Sequence, residues 1–148
     1  MTALVPDNAF PETENWRPER KGGQVTLWLE CARAGPNRVT RQVLDELNRL
    51  LDAIAADMPD AVILRARRPE GLADGLPPED LTDLESAAAQ DLAEAGASVL
   101  DRLAGLPCAT VAVMHGRTSG TGLSLALACD HRIGIDGVKL GFPEIQLG

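Results

Sequence analysis

Two short stretches of this 148-residue sequence hold the residue types from which a reactive site can be built. The first is HGRTSGTGLSLALACDHR, residues 115–132, where three glycines, two threonines and two serines run into an apolar segment. The second is the ending LGFPEIQLG, where Glu144 follows Pro143 in otherwise apolar surroundings. Glycines just before a helix leave backbone N–H groups free at the positive end of the helix dipole. Such a turn can hold an anion, or an oxygen that becomes anionic during a reaction. Three familiar site types fail on the residues. A phosphate-binding P-loop counted from Gly116 meets Thr121, Gly122 and Leu123 where Gly, Lys and Ser or Thr are required. A dinucleotide fingerprint from Gly120 is satisfied at Gly122 but has Leu125 at the third glycine. A nucleophile elbow around Ser119 needs glycines where Arg117 and Thr121 stand. Close packing of a helix on a strand demands the same glycines, so the pattern by itself leaves an oxyanion site and a steric contact both open.

The elements that must position these residues are legible in the apolar periodicity. Val25, Leu27 and Leu29 alternate in QVTLWLE (24–30), a half-buried strand. From Thr40, a suitable N-cap, to Met58, Val43, Leu47, Leu50 and Ile54 recur at helical spacing. AVILRARR (61–68) is the next strand, and its apolar first half predicts burial. After the turn-rich PEGLADGLPPEDL, Thr82 and Glu85 form a capping-box pattern that opens a second helix. Its stripe is Ala88, Leu92, Ala95, Val99 and Leu103. CATVAVM (108–114) is an unbroken apolar strand, GLSLALAC (122–129) a helix with almost no wet face, and HRIGID and VKLGF two short strands. The order β-α-β-α-β-α-β-β predicts an α/β fold with mostly parallel pairing. Residues 1–22 read as a flexible N-terminal arm and 23–148 as the core.

Composition narrows the function classes. A net charge of −8 with scattered basic residues opposes binding to a nucleic-acid backbone. No stretch reaches the length of a membrane span, and the N-terminus lacks the pattern of a signal peptide. Cys31, Cys108 and Cys129 have no metal-ligand spacing, and reduced thiols in apolar runs point to a cytoplasmic protein. Asp80, Asp83 and Glu85 are explained by a loop and a helix start rather than a metal site. Arg65, Arg67, Arg68, Arg117 and Lys139 read as solvated charge, His115 and His131 as hydrogen-bonded structural residues.

The stretch CATVAVMHGRTSGTGLSLALACDHRIGID with KLGFPEIQLG resembles the crotonase superfamily of enoyl-CoA hydratases and isomerases. With NWR near the N-terminus, it is most similar to the hydratase/isomerase region of multifunctional fatty-acid oxidation complex alpha subunits. The resemblance implies a spiral of ββα turns, usually assembled as trimers, acting on acyl-CoA thioesters with no cofactor beyond the coenzyme A of the substrate. It implies an oxyanion hole of two backbone N–H groups. One belongs to Leu76 after Gly75, in a loop where Pro77 replaces the usual Asp. The other belongs to Thr121 in Gly120-Thr121-Gly122, where the family has three glycines. Of the two glutamates used by hydratases, the first is replaced by Ser124 and the second is retained as Glu144.

Hydration needs one carboxylate to activate water and another to protonate the α-carbon. A neutral serine fills neither role, so the retained residues imply proton transfer between carbons, more isomerase-like than hydratase-like. Family members continue past QLG into helices that cover the acyl pocket and make trimer contacts. The expectation is therefore the N-terminal portion of the fold, with a homo-oligomer or a complementary chain supplying the remaining elements. The alternatives are a catalytically impaired acyl-CoA-binding partner subunit, or a truncated product inactive alone.

Overall fold

The computed structural model describes residues 10–76, 81–82 and 84–147. Its main sheet has five strands in the order β1-β2-β3-β4-β6. They are β1 (Trp16–Lys21), β2 (Gln24–Leu29), β3 (Ala61–Ala66), β4 (Ala109–Met114) and β6 (His131–Gly134). Only the β1–β2 pair is antiparallel. A second, two-stranded parallel sheet joins β5 (Arg117–Ser119) to β7 (Lys139–Gly141). Among the described residues, the helices α1 (Arg41–Asp57), α2 (Ser86–Ala104) and α3 (Thr121–Ala128) connect the parallel strands, and a 3-10 turn spans Pro143–Leu147.

The core lies between one sheet face and the helices. Val25, Leu27 and Leu29 of β2, Val62 and Leu64 of β3, and Ala112 and Met114 of β4 meet Val43, Leu47, Leu50 and Ile54 of α1. Val99 and Leu103 of α2 and Leu123, Leu125 and Ala126 of α3 complete it. Thr40 caps α1, its side chain accepting from the Val43 N–H at 3.3 Å. The apolar runs of β3 and β4 do not indicate burial on both faces. Ile63, Val111 and Val113 are only half-buried on the face away from the helices.

Three sequence expectations change. Residues 1–22 are not an arm throughout: β1 pairs with β2, and Trp16 is buried with its indole N–H donating to the Val43 carbonyl at 3.0 Å. The pattern was weak because β1 is an edge strand with a single fully buried residue, and an edge tolerates Pro18. The Thr82–Glu85 pattern does not mark the start of the second helix. Helix α2 opens at Ser86 with Glu85 as an N-cap that makes no side-chain capping bond, four residues beyond Thr82. The strand in VKLGF lies outside the main sheet, and β5, unmarked in the sequence, is its partner. Pro77, Asp80, Asp83 and Gly148 lie outside the described residues.

Candidate active site

The loop after β3 and the turn before α3 are drawn together by backbone pairing. Arg117 N–H donates to the Glu70 carbonyl at 2.8 Å and Ser119 N–H to the Ala73 carbonyl at 3.0 Å. These contacts lay residues 70–75 along β5, whose end runs directly into Gly120. Gly120 adopts φ 54° and ψ −132°, a conformation essentially restricted to glycine, and caps α3. Gly122 sits against the backbone of residue 73: a Cβ there would lie 2.3 Å from the Ala73 carbonyl oxygen. The steric reason for a glycine therefore holds at Gly122, alongside any role in binding.

Thr121 opens α3, and Met58 is the one non-glycine residue with positive φ among those described, so a side chain is tolerated at Thr121 without strain. As the first residue of a helix it has no intrahelical partner for its N–H. The backbone N of Thr121 and the Cα of Gly120 would stand 3.3 and 3.2 Å from a Cβ placed on Gly75. Gly75 thus meets Gly120 and Thr121, which lie more than forty positions later in sequence. Leu76 follows on the wall of the adjoining cleft.

Glu144 reaches the same point by a third route. Strand β7 pairs in parallel with β5, and the Gly120 N–H donates to the Gly141 carbonyl at 3.0 Å. The 3-10 turn that follows turns the carboxylate back over the glycines. Its Oε1 would be 2.2 Å from a Cβ on Gly120 and 3.2 Å from one on Gly75. Gly75, Leu76 and Glu144 line a cleft of about 580 Å³, together with Arg38, Asp74, Arg117 and Lys139. A neighbouring cleft of about 640 Å³, reaching to Asn15, Cys31 and Leu92, shares Arg38 and Leu76 with it.

Ser124 does not join the cleft wall. It lies one turn into α3 with its hydroxyl turned back to the Gly120 carbonyl at 3.4 Å, the local bonding typical of serine within a helix. His115 is also structural, with Nε2 2.7 Å from the Arg68 carbonyl. The arginines are more engaged than solvated charge implies. Arg65 and Arg67 stack on the Trp28 ring at 4.7 and 5.0 Å, and Arg68 donates to the Cys31 carbonyl at 2.7 Å.

Two buried residues that support the site were not singled out in the sequence. The Asn37 side chain accepts from the Cys31 N–H at 2.9 Å and donates to the Leu29 and Leu72 carbonyls at 3.1 Å each. Its own carbonyl accepts from the Asp74 N–H at 2.9 Å, which ties the loop before Gly75 to the end of β2. Asp74 itself is buried and bound by Arg117 and Ser119. Only the Gly-Pro-Asn break hinted at Asn37. Asp74 had no signal, because its partners lie about 43–45 residues away.

Residues 31–148 match the enoyl-CoA hydratase/isomerase family model. The chain is 39% identical over 110 residues to the fatty acid oxidation complex subunit alpha of Aliivibrio fischeri, covering 72% of this chain and 15% of that one. It is 30% identical over 130 residues to the mitochondrial methylglutaconyl-CoA hydratase of Mus musculus, covering 87% and 41%. The crystal structure of an enoyl-CoA hydratase from Bacillus anthracis superposes with a TM-score of 0.84 at 23% identity, over 90% of this chain and 52% of that one. The chain therefore spans less than half of each of these curated relatives and about half of the solved one, and its mixed α/β architecture is the crotonase fold over that portion.

Proposed function

Because this chain belongs to the enoyl-CoA hydratase/isomerase family, we propose that it acts on acyl-CoA thioesters as a proton-transferring, isomerase-like protein. The observation that carries the reading is the placement of the Glu144 carboxylate against Gly75 and Gly120. In the proposed reaction the thioester carbonyl oxygen lies between the N–H groups of Leu76 and Thr121. Glu144 takes a proton from C2 of a 3-enoyl thioester, breaking that C–H bond as the electron pair moves into a dienolate. The negative charge collects on the carbonyl oxygen, where fixed backbone dipoles stabilise it. Glu144 then returns the proton at C4, leaving the conjugated 2-enoyl thioester. One carboxylate suffices, the proton count balances, and no group beyond the coenzyme A of the substrate takes part.

The inward bond of Ser124 supports the isomerase side of this reading, since no second carboxylate is held at that position. It equally favours a second reading, in which the chain binds acyl-CoA as a catalytically impaired partner. Absorbance of the conjugated enoyl thioester, followed with 2-enoyl and 3-enoyl substrates, separates the two. Glu144→Gln is expected to lower isomerisation by about 10²–10⁴-fold, the range for loss of a general acid–base group. Ser124→Glu is expected to raise hydration more than isomerisation. Isomerisation unchanged in Glu144→Gln rules out the role given to Glu144. Preferential binding of acyl-CoA over free coenzyme A without turnover establishes the partner reading.

A further inference from the structure

The loop that carries Gly75 and Leu76 and the strand that runs into Gly120 and Thr121 meet at one buried carboxylate. Asp74 is 4% exposed, immediately before Gly75. Its Oδ1 accepts from the Ser119 hydroxyl at 2.9 Å and from Arg117 Nε at 2.9 Å, and its Oδ2 accepts from Arg117 Nη2 at 2.5 Å. Both partners belong to β5, and Ser119 immediately precedes Gly120. On its backbone side Asp74 is equally fixed, its N–H donating to the Asn37 carbonyl at 2.9 Å and its carbonyl accepting from the Val39 N–H at 3.2 Å. A forked arginine–carboxylate pair fixes both distance and plane, unlike a single hydrogen bond. Burying a carboxylate is costly unless its lone pairs are satisfied, and here three donor groups on two residues of β5 satisfy them.

We infer that Asp74 is a positioning residue that holds the two candidate oxyanion donors, the N–H groups of Leu76 and Thr121, in register through its bonds to Arg117 and Ser119. The inference rests on the acyl-CoA reading above. Each donor follows a residue locked by the cluster: Leu76 lies two residues after Asp74 and Thr121 two residues after Ser119. Loss of the clasp leaves only the backbone bonds from Arg117 to Glu70 and from Ser119 to Ala73 between the two segments, so the donors can shift relative to each other while Glu144 keeps its tether to β5 through β7. Oxyanion contacts act on charge that develops in the transition state, so the effect falls on kcat more than on substrate binding.

Two measurements on the full chain test this, with Asp74→Asn and Ser119→Ala. The first is the carbonyl stretch of an enoyl-CoA labelled with ¹³C at the thioester carbon, by infrared difference spectroscopy; the second is the split between kcat and KM for isomerisation. Bound to the unaltered protein, the carbonyl band is expected to shift to lower frequency. In both variants the shift is expected to shrink, with kcat down about tenfold to a hundredfold, less than the loss of a whole oxyanion donor, and KM changed less than about threefold. A full shift in folded Asp74→Asn and Ser119→Ala overturns the inference and leaves the acyl-CoA reading intact. No shift in the unaltered protein removes the oxyanion hole itself, and the positioning role with it. Should Asp74→Asn not fold, Ser119→Ala, which keeps the arginine–carboxylate pair, decides alone.

Discussion

Single side chains at the rim of the sheet set part of the pH response. The Asp130 carboxylate accepts from the Thr110 N–H at 2.9 Å and from its hydroxyl at 3.0 Å, while the Asp130 N–H donates back to that hydroxyl at 2.8 Å. The backbone hydrogen bond from Thr110, with the hydroxyl bond second, holds the Asp130 carboxyl below its ordinary value, outweighing the opposing effect of burial. A depressed carboxyl stabilises the folded state above its ordinary pKa of about 3.9, and that contribution is lost as pH falls through the folded value. Asp130→Asn keeps an acceptor but no charge. Its melting temperature is expected to lie below that of the unaltered protein near pH 7 and to converge with it under acid. A constant difference across that range in thermal melts would exclude the linkage. At Cys129 burial prevails instead, and the thiol is pushed up to about 12, consistent with a core cysteine rather than a nucleophile.

Among the elements, α3 is constrained most tightly at its first turn. Gly122→Ala would set a methyl 2.3 Å from the Ala73 carbonyl oxygen, a contact relieved only by moving the helix or the loop before Gly75. We expect a loss of about 1–3 kcal/mol or more in denaturant unfolding, as for other overpacked sites, together with loss of preferential acyl-CoA binding. Gly96 offers the contrast. It lies inside α2, and a Cβ there would meet nothing nearer than Leu44 Cδ1 at 4.0 Å. Gly96→Ala is expected to gain about 0.5–1 kcal/mol through helix propensity and a less flexible unfolded chain. Equal effects of the two substitutions would show that α3 does not depend on this close approach. Helix α2 is itself held to α1 where Arg102 donates to the Asn48 carbonyl at 3.1 Å and pairs with Asp52.

Across the whole molecule, the helix-covered side of the sheet is closed and the region after α3 is open. Every residue of β6 is exposed, as are Leu127, Ile135, Leu140, Phe142 and Ile145, with Ile145 80% accessible. Large apolar side chains left exposed in this number favour association in water. Size-exclusion chromatography with light scattering is expected to show species larger than one chain, shifting toward smaller ones on dilution. A sharp monomer peak independent of concentration would show that this surface is tolerated in solvent. No helix among the described residues is long and apolar enough to cross a membrane.

The helices, the parallel order of the core strands and the glycine turn were readable because they depend on local periodicity and capping. Val43, Leu47, Leu50 and Ile54 must share one face of any helix, and Thr40 can cap it whatever surrounds it. The family resemblance, running from about Trp16 to Gly148, singled out Gly75, Leu76, Gly120, Thr121, Gly122 and Glu144 as belonging together, and the tertiary structure brings Gly75, Gly120, Thr121 and Glu144 to one point. Their meeting depends on β7 choosing β5 rather than the main sheet, a long-range pairing that neither strand of three residues encodes alone. Strand β1 escaped notice because an edge strand needs only one buried anchor, Trp16, to dock. The inward turn of Ser124, the brace at Asn37 and the clasp at Asp74 became visible only in the folded chain. A buried polar group is defined by partners that satisfy it, and those of Asp74 and Asn37 include residues far away in sequence.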